Sequence, residues 1–107
     1  MGASVTLLQK ATTVVGTAEA LTDTSTCCSQ VMLQPMGANG IVVYFGDSTV
    51  TALTGLRLEI PTAGKTPSTL QLFDGSGLNT LNLADMYIIL DSTPAAAAGV
   101  NVLYTVR

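Results

Sequence analysis

The side chains in this sequence with the clearest capacity for chemistry are two adjacent cysteines. Cys27 and Cys28 are the only cysteines, and the chain contains no histidine. Two thiolates without a second pair of ligands cannot complete a tetrahedral zinc site. Neighbouring side chains of a strand point to opposite faces, which prevents an ordinary disulfide between them. We therefore expect two free thiols, one of them buried, and no structural metal.

A second candidate for metal chemistry is the acidic loop DGSGLN, which begins at Asp74 and contains Ser76. Its spacing is superficially similar to that of a calcium-binding loop, but the sixth position holds Asn79 where glycine is required. The twelfth position holds Asp85 instead of the longer glutamate. A plain turn is the better interpretation, so we expect no metal here either.

Catalytic arrangements have little support. Without histidine the usual serine hydrolase lacks its general base, and a Ser-Lys variant would need Lys10 or Lys65 to be desolvated beside a serine. Most of the aspartates stand beside glycine or serine, where Asp favours turns by bonding to the local backbone. No spacing singles out a catalytic pair of carboxylates. We expect no enzyme activity, no cofactor and no small-molecule substrate.

The elements that must position these residues are β-strands, because apolar and polar residues alternate with a period of two. VNVLYTV (Val100 to Val106) and LRLEI (Leu56 to Ile60) show this alternation. IVVYF (Ile41 to Phe45) and MYIIL (Met86 to Leu90) are apolar throughout. That pattern predicts central strands covered on both faces, or on one face by a partner subunit. Weaker strands are predicted near residues 5–15, 31–36 and 70–73.

Turn signals separate these strands. Dipeptides that favour tight hairpin turns stand at Asn39-Gly40, Gly46-Asp47 and Asp74-Gly75. The stretches 61–69 and 92–99 predict longer loops, with Ala95 to Ala98 in the second of them. The segment 16–24 is too short to stand as a helix. Together these features predict one all-β domain over residues 1–107, an antiparallel β-sandwich or jelly-roll-like domain of about seven or eight strands.

Charge is scarce in this chain, which has four basic and seven acidic residues and a net charge of −3. Its mean hydropathy is nevertheless +0.49. A surface with so few charges exposes Thr, Ser, Ala and aliphatic groups, which protein partners cover more favourably than water. The acidic balance excludes a basic stripe for nucleic acid. No segment is long and apolar enough to span a bilayer, and the start has no signal-peptide pattern, so we expect synthesis in a cytoplasm and no membrane partner.

Residues 41–107 carry an ordered series of strand and turn motifs. An aromatic strand runs into Gly-Asp-Ser and a Val-Thr step, and a glycine then opens an alternating leucine strand. A Leu-x-Asp-x-Tyr strand and a last strand with Val, Leu and Tyr follow. This series resembles small β-rich virion structural proteins of tailed bacteriophages. The matching positions are Tyr44, Gly46, Asp47, Ser48, Val50, Thr51, Gly55, Leu56, Leu58, Leu83, Asp85, Tyr87, Val102, Leu103 and Tyr104.

The resemblance implies a capsid decoration or cement protein, which lies on the exterior of the virion capsid and bridges neighbouring capsomers. Its partners would be copies of itself, with a homotrimer favoured, and the major capsid protein. Two alternatives stay open: a tail, neck or head-fibre component, and a carbohydrate-binding β-sandwich module. The last of these stacks sugars on aromatic platforms, whereas all five aromatic residues of this chain lie in strands that we predict to be core.

Contacts with these partners are predicted at two places. Residues 1–10 would form an interface arm that adds to a neighbour's sheet edge through Val5, Leu7 and Leu8. Apolar strand surfaces around Val43 and Ile89 would be buried. If the first ten residues are an arm, their removal leaves the sandwich folded.

Overall fold

The computed structural model describes residues 4–38, 40–61, 68–74, 78–91 and 97–107. Strands occupy most of these residues, and the one helical element among them is a single turn of 3-10 helix, η1 (Leu83–Asp85). The strands are β1 (Ser4–Thr12), β2 (Glu19–Ala20), β3 (Cys27–Cys28), β4 (Gln30–Met36), β5 (Val42–Gly46), β6 (Leu56–Glu59), β7 (Leu70–Phe73), β8 (Leu81–Asn82), β9 (Tyr87–Leu90) and β10 (Ala98–Val106).

Two four-stranded sheets form the molecule. The first sheet has the strand order β1-β10-β4-β7, and the second has the order β2-β9-β5-β6. Neighbouring strands are antiparallel in both sheets, and β3 pairs with β8 in a separate ribbon. The predicted all-β antiparallel sandwich is therefore confirmed.

The core lies between the two sheets. Val31, Leu33, Val100 and Val102 project from the first sheet and are 0% exposed. They belong to the same buried cluster as Val43, Phe45, Leu58, Ile88 and Leu90 of the second sheet. The alternation that was predicted for Val100 to Val106 thus arises because every second side chain of β10 enters this layer.

The amino-terminal segment is a strand of the sandwich. All nine residues of β1, Ser4–Thr12, pair with β10. Leu8 stands opposite Val102 and packs against the core. Removal of residues 1–10, which is predicted to leave the sandwich folded, would take Ser4 to Lys10 of this edge strand and part of the core with it. Residues 1–3 lie outside the described part of the chain.

Two of the three predicted hairpins are wrong. Gly40 has the positive φ of 88° that a tight turn favours, and Ile41 N–H donates to the Ala38 carbonyl at 3.2 Å. The strands on either side of this turn, β4 and β5, nevertheless belong to different sheets, so the turn carries the chain across the sandwich. The strands β7 and β8 that flank Asp74-Gly75 are likewise not paired with each other. The strands on either side of Gly46-Asp47, β5 and β6, do pair with each other. Nine residues, 47–55, connect them, and Gly46 does not have a positive φ, so this hairpin lacks the predicted tight turn.

The prediction of a loop over Ala95 to Ala98 is wrong at its last residue. Ala98 is the first residue of β10, is 0% exposed and pairs with Thr12. Ala95 and Ala96 lie outside the described residues.

Both cysteines are free thiols, as expected. Cys27 is exposed, whereas Cys28 is 0% exposed and belongs to the core cluster. Burial raises the pKa of the Cys28 thiol, and the neighbouring Cys27 adds to the rise. Cys28 therefore stays protonated and behaves as a small apolar core residue.

A polar contact joins the two sheets at one edge. Lys10 Nζ of β1 lies 3.1 Å from Glu19 Oε1 of β2, and Thr12 Oγ1 donates to Glu19 Oε2 at 2.7 Å. Burial would raise the pKa of Glu19, but the hydrogen bonds from Thr12 and Lys10 and the Lys10 charge outweigh it and lower the pKa below 4.5. The charged form of this carboxylate is therefore stabilised by folding.

We expect Glu19→Gln to lower the free energy of unfolding at pH 7 by about 1 kcal/mol. Because the folded-state pKa is depressed, the contribution of Glu19 is present above the unfolded pKa and is lost as the pH falls through the folded value. The difference between variant and wild type should therefore shrink below the ordinary pKa near 4.5. Urea unfolding at a series of pH values measures it.

The matched control for this prediction is Glu59→Gln, which removes the same charge. Glu59 Oε2 lies 2.6 Å from Arg57 Nη2 in an ion pair whose side chains are 56% and 38% exposed. Exposed pairs contribute little, so this variant should stay close to wild type. An equal loss for Glu19→Gln at pH 7 and at pH 3 would contradict the assignment.

Candidate interaction surface

The candidate metal ligands of the DGSGLN loop serve the fold. Asp74 Oδ2 accepts hydrogen bonds from Thr80 N–H at 3.1 Å and from Thr80 Oγ1 at 2.5 Å. Asn79 holds the end of the chain, since its Nδ2 donates to the Arg107 carbonyl at 2.8 Å and its Oδ1 accepts from Arg107 N–H at 2.9 Å. Ser76 lies outside the described residues. Within the described ranges, no three Cys, Asp or Glu side chains gather as a metal site would require.

A cleft of about 290 Å³ opens between β5, β6 and the connection that joins them. Asp47 is the charged residue in its lining. Thr49 donates to Asp47 Oδ1 from its hydroxyl at 2.6 Å and from its N–H at 2.9 Å. These hydrogen bonds lower the pKa of Asp47. The carboxylate is thus engaged within its own turn, as is usual for an aspartate beside glycine.

The surface that stands out is the side of the first sheet that points away from the core, which we call the outer face. Residues directly opposite each other in neighbouring strands lie on the same face of a sheet. The outer face therefore consists of the alternate residues of β1, β10, β4 and β7 that the register places on the side away from the core. None of these residues is charged. They are Val5, Leu7, Gln9, Ala11, Gln30, Met32, Gln34, Met36, Gln71, Phe73, Gly99, Asn101, Leu103 and Thr105.

An apolar row crosses the middle of the outer face. Leu7 pairs with Leu103, and Leu103 pairs with Met32, so three large side chains stand side by side on three adjacent strands. Leu7 is 69% exposed and Leu103 39% exposed. In the next row Val5 and Phe73 occupy the two outer strands and are 61% and 63% exposed. Thr105 and Gln30 stand between Val5 and Phe73. The apolar surface therefore consists of the row of Leu7, Leu103 and Met32, with Val5 and Phe73 at its margins.

Polar but uncharged side chains border the apolar row. Gln9 Nε2 donates to Asn101 Oδ1 at 3.2 Å, and Gln34 stands opposite Asn101 on the other side. Amides of this kind can bond to a partner without the cost of removing a charge from water. The outer face therefore combines an apolar centre with an uncharged polar margin.

The corresponding side of the second sheet is different in chemistry. It carries Arg57 and Glu59, whose ion pair is described above, and Tyr44 stands opposite Arg57. Hydrogen bonding to Tyr44, together with the charge of Glu59, raises the pKa of Arg57. Arg57 and Glu59 on this side are thus paired within the chain, whereas the outer face of the first sheet carries no charged side chain.

The five predicted interface residues separate into three groups. Val5 and Leu7 lie on the outer face, whereas Leu8 points to the opposite side of the same strand and packs against the core. Val43 is 0% exposed in the core cluster, so its side chain has no surface to offer a partner, and this part of the prediction is corrected. Ile89 stands opposite Tyr44 on the second sheet and is 7% exposed, which leaves it little area for contact.

Sequence reasoning missed Leu103, Met32 and Phe73. The prediction that all five aromatics are core is wrong for Phe73, because Leu70 and Leu72 are the β7 side chains that pack against the core. It is also wrong for Tyr44, which stands opposite Arg57 and is not part of the core cluster. The alternation Leu-Gln-Leu-Phe in β7 indicates that Phe73 lies on the side of the strand opposite to Leu70 and Leu72. Leu103 and Met32 could be assigned to one surface only once the strand pairing was known.

A second apolar surface lies on the connection between β5 and β6. Leu53 is 96% exposed and Leu56 is 55% exposed. Leu56 also lines the cleft that contains Asp47. We call Leu53, Leu56 and this cleft the loop surface. It belongs to the second sheet, so it is separate from the outer face of the first.

The described part of the chain contains no helix long and apolar enough to cross a membrane. Comparison of the chain with protein-family models, with curated proteins and with solved structures finds no match. The two apolar surfaces are therefore the features on which a function can be based.

Proposed function

We propose that this protein is a structural component of a tailed-phage virion, one that decorates the exterior of the capsid as a cement protein. The observation that carries the proposal is that several of its most exposed apolar side chains lie on two separate surfaces, the outer face and the loop surface. A small sandwich with two such surfaces can contact two neighbours at once. Bridging of adjacent capsomers requires this property.

The mechanism is linked binding and involves no covalent chemistry. A protein that binds the assembled lattice, and not its separated subunits, stabilises the lattice in proportion to its occupancy. Copies that are joined to one another gain further, because the second contact forms at a high effective concentration. The outer face buries no charge when it is covered, so it does not suffer the desolvation cost of ionised groups.

The two surfaces have different partners in this proposal. The outer face joins copies of the chain, and the loop surface contacts the major capsid protein. Leu53 is 96% exposed at the connection of the second sheet, on the layer opposite the outer face. Occupation of the outer face by further copies therefore leaves Leu53 accessible to the shell.

Cosedimentation with phage shells that lack the protein tests this proposal. Wild-type protein should saturate the shells and raise the temperature at which filled particles release their contents. Leu53→Glu should weaken shell binding by more than about tenfold, because a charge would replace an apolar contact. The matched control is Val14→Glu, which adds the same charge at a 48% exposed residue outside both surfaces and should still bind.

Two results would overturn the proposal. Wild-type protein that never cosediments with shells would favour a tail, neck or head-fibre component. Full occupancy by Leu53→Glu would remove the loop surface from the contact.

A further inference from the structure

We infer that copies of this chain associate with one another through the outer face of the first sheet, with Leu7, Leu103 and Met32 at the centre of the contact. This inference deepens the proposed function and takes its biological meaning from it. Its measurement requires no capsid, so the two proposals can fail separately.

The apolar row supplies the centre of the contact. Residues directly opposite each other in an antiparallel ladder have their Cβ atoms about 5 Å apart, so Leu7, Leu103 and Met32 form a continuous ridge across β1, β10 and β4. Leu7 is 69% exposed although its strand neighbour Leu8 packs against the core. The exposure of Leu7 is thus a consequence of its position on the sheet and leaves a large side chain available for a partner.

Charge favours another copy of the chain as the occupant. Each copy has a net charge of −3, so two copies repel each other at long range. The outer face has no charged residue, whereas the corresponding side of the second sheet carries Arg57 and Glu59. A contact between outer faces therefore places no charged side chains opposite each other and removes no charged side chain from water.

The size of the outer face is sufficient for a stable contact. The two longest strands have nine residues each. At about 3.3 Å per residue and about 4.8 Å between four strands, the flat footprint is roughly 400 to 600 Å² per copy. In a trimer three such footprints cover roughly 1,200 to 1,800 Å² in the whole assembly, the range of a standard specific interface, and projecting side chains add to it.

The distribution of apolar side chains suits a closed ring. Val5 and Leu7 lie on β1 at one edge of the first sheet, and Phe73 lies on β7 at the other edge. When three outer faces meet around a common axis, the β1 side of one copy packs against the β7 side of the next, and the row of Leu7, Leu103 and Met32 in each copy lies at the centre. Such a head-to-tail contact forms a cyclic oligomer when the rotation from copy to copy returns to the first copy. We expect a homotrimer, in agreement with the resemblance to virion proteins.

Light scattering coupled to size-exclusion chromatography tests this inference on the isolated protein. Wild type at 1 to 100 μM should have three times the 11.0 kDa mass of the chain. Leu7→Glu should raise the dissociation constant by more than about 100-fold, because each copy would then bury a charge against apolar groups. The same loss is expected for Phe73→Glu, which lies on the opposite edge and keeps the test valid if the β1 variant fails to fold.

The matched control is Leu53→Glu, the same substitution on the loop surface, which should retain the wild-type mass. Far-ultraviolet circular dichroism and thermal melts confirm that each variant is folded. A dimer dissociated by both outer-face variants would support the surface and replace the trimer as the assembly. Wild type that is monomeric at 100 μM, or an unchanged mass in folded Leu7→Glu and Phe73→Glu, would overturn the inference.

Discussion

A chain that lacks residues 1–12 is expected to lose the cooperative fold. The deletion removes β1, whose nine residues pair with β10, and it removes Leu8 from the edge of the core. Val100 and Val102, which are 0% exposed in the intact chain, would then line an open edge. Exposure of a large apolar side chain costs about 1.5 to 3 kcal/mol, and a domain has a total of only about 5 to 15 kcal/mol available. Thermal melts followed by circular dichroism should therefore show no sharp transition.

A chain that begins at Ser4 is the matched control, because it keeps all of β1. It should melt with the cooperativity of the full-length protein. Amide resonances measured by two-dimensional NMR give a second, independent readout: they should be dispersed in the control and collapsed in the longer deletion. A dispersed spectrum from the chain without residues 1–12 would contradict the assignment of β1 as a structural strand and would restore the interface-arm prediction.

The strands themselves could be predicted from the sequence where one side of the strand is buried. Val100, Val102 and the residues between them alternate because the pleat sends successive side chains to opposite sides. The apolar runs at 41–45 and 86–90 correspond to β5 and β9, the two central strands of the second sheet. In each case the pattern arises from the burial of that strand's own side chains, so it can be recognised within a single segment of the sequence.

The interaction surface could not be predicted in the same way, because it is made by pairing between distant segments. Leu7, Met32 and Leu103 come from three strands that are far apart in sequence and adjacent in the first sheet. Alternation shows which residues of one strand share a side, but it does not show which strand lies next to it. The register of the ladders supplies this information.

The hairpin errors have a related cause. A positive φ at Gly40 fixes a change of chain direction, but a sharp turn does not determine whether the next strand pairs with the previous one. In this chain Gly40 N–H donates to the Ile60 carbonyl at 2.6 Å, which ties the turn to the end of β6 in the second sheet. The bond that decides the topology is therefore made with a residue that local sequence cannot identify.

Gly99→Ala is expected to destabilise the protein by about 3 kcal/mol or more, because the added methyl group would collide with main-chain atoms, which cannot rotate away as a side chain can. A Cβ on Gly99 would overlap the carbonyl oxygen of Lys10, and it would also lie 2.9 Å from the Lys10 carbonyl carbon and 3.0 Å from Ala11 Cα. These atoms belong to β1, so room for a methyl group can be made only by moving β1 away from β10 and weakening the ladder between them.

Gly16→Ala separates this steric effect from the loss of glycine's conformational freedom. Gly16 has a positive φ of 79° but nothing within 4 Å of an added Cβ, so its substitution should cost only about 1 kcal/mol of backbone strain. Urea unfolding compares the two variants, and an equal loss in both would contradict the close approach of β1 and β10. The Gly99→Ala clash lies inside the folded chain, so its destabilisation should persist at protein concentrations where the wild type is dissociated. The effect of Leu7→Glu acts between copies, so its influence on unfolding should appear only where the wild type is associated.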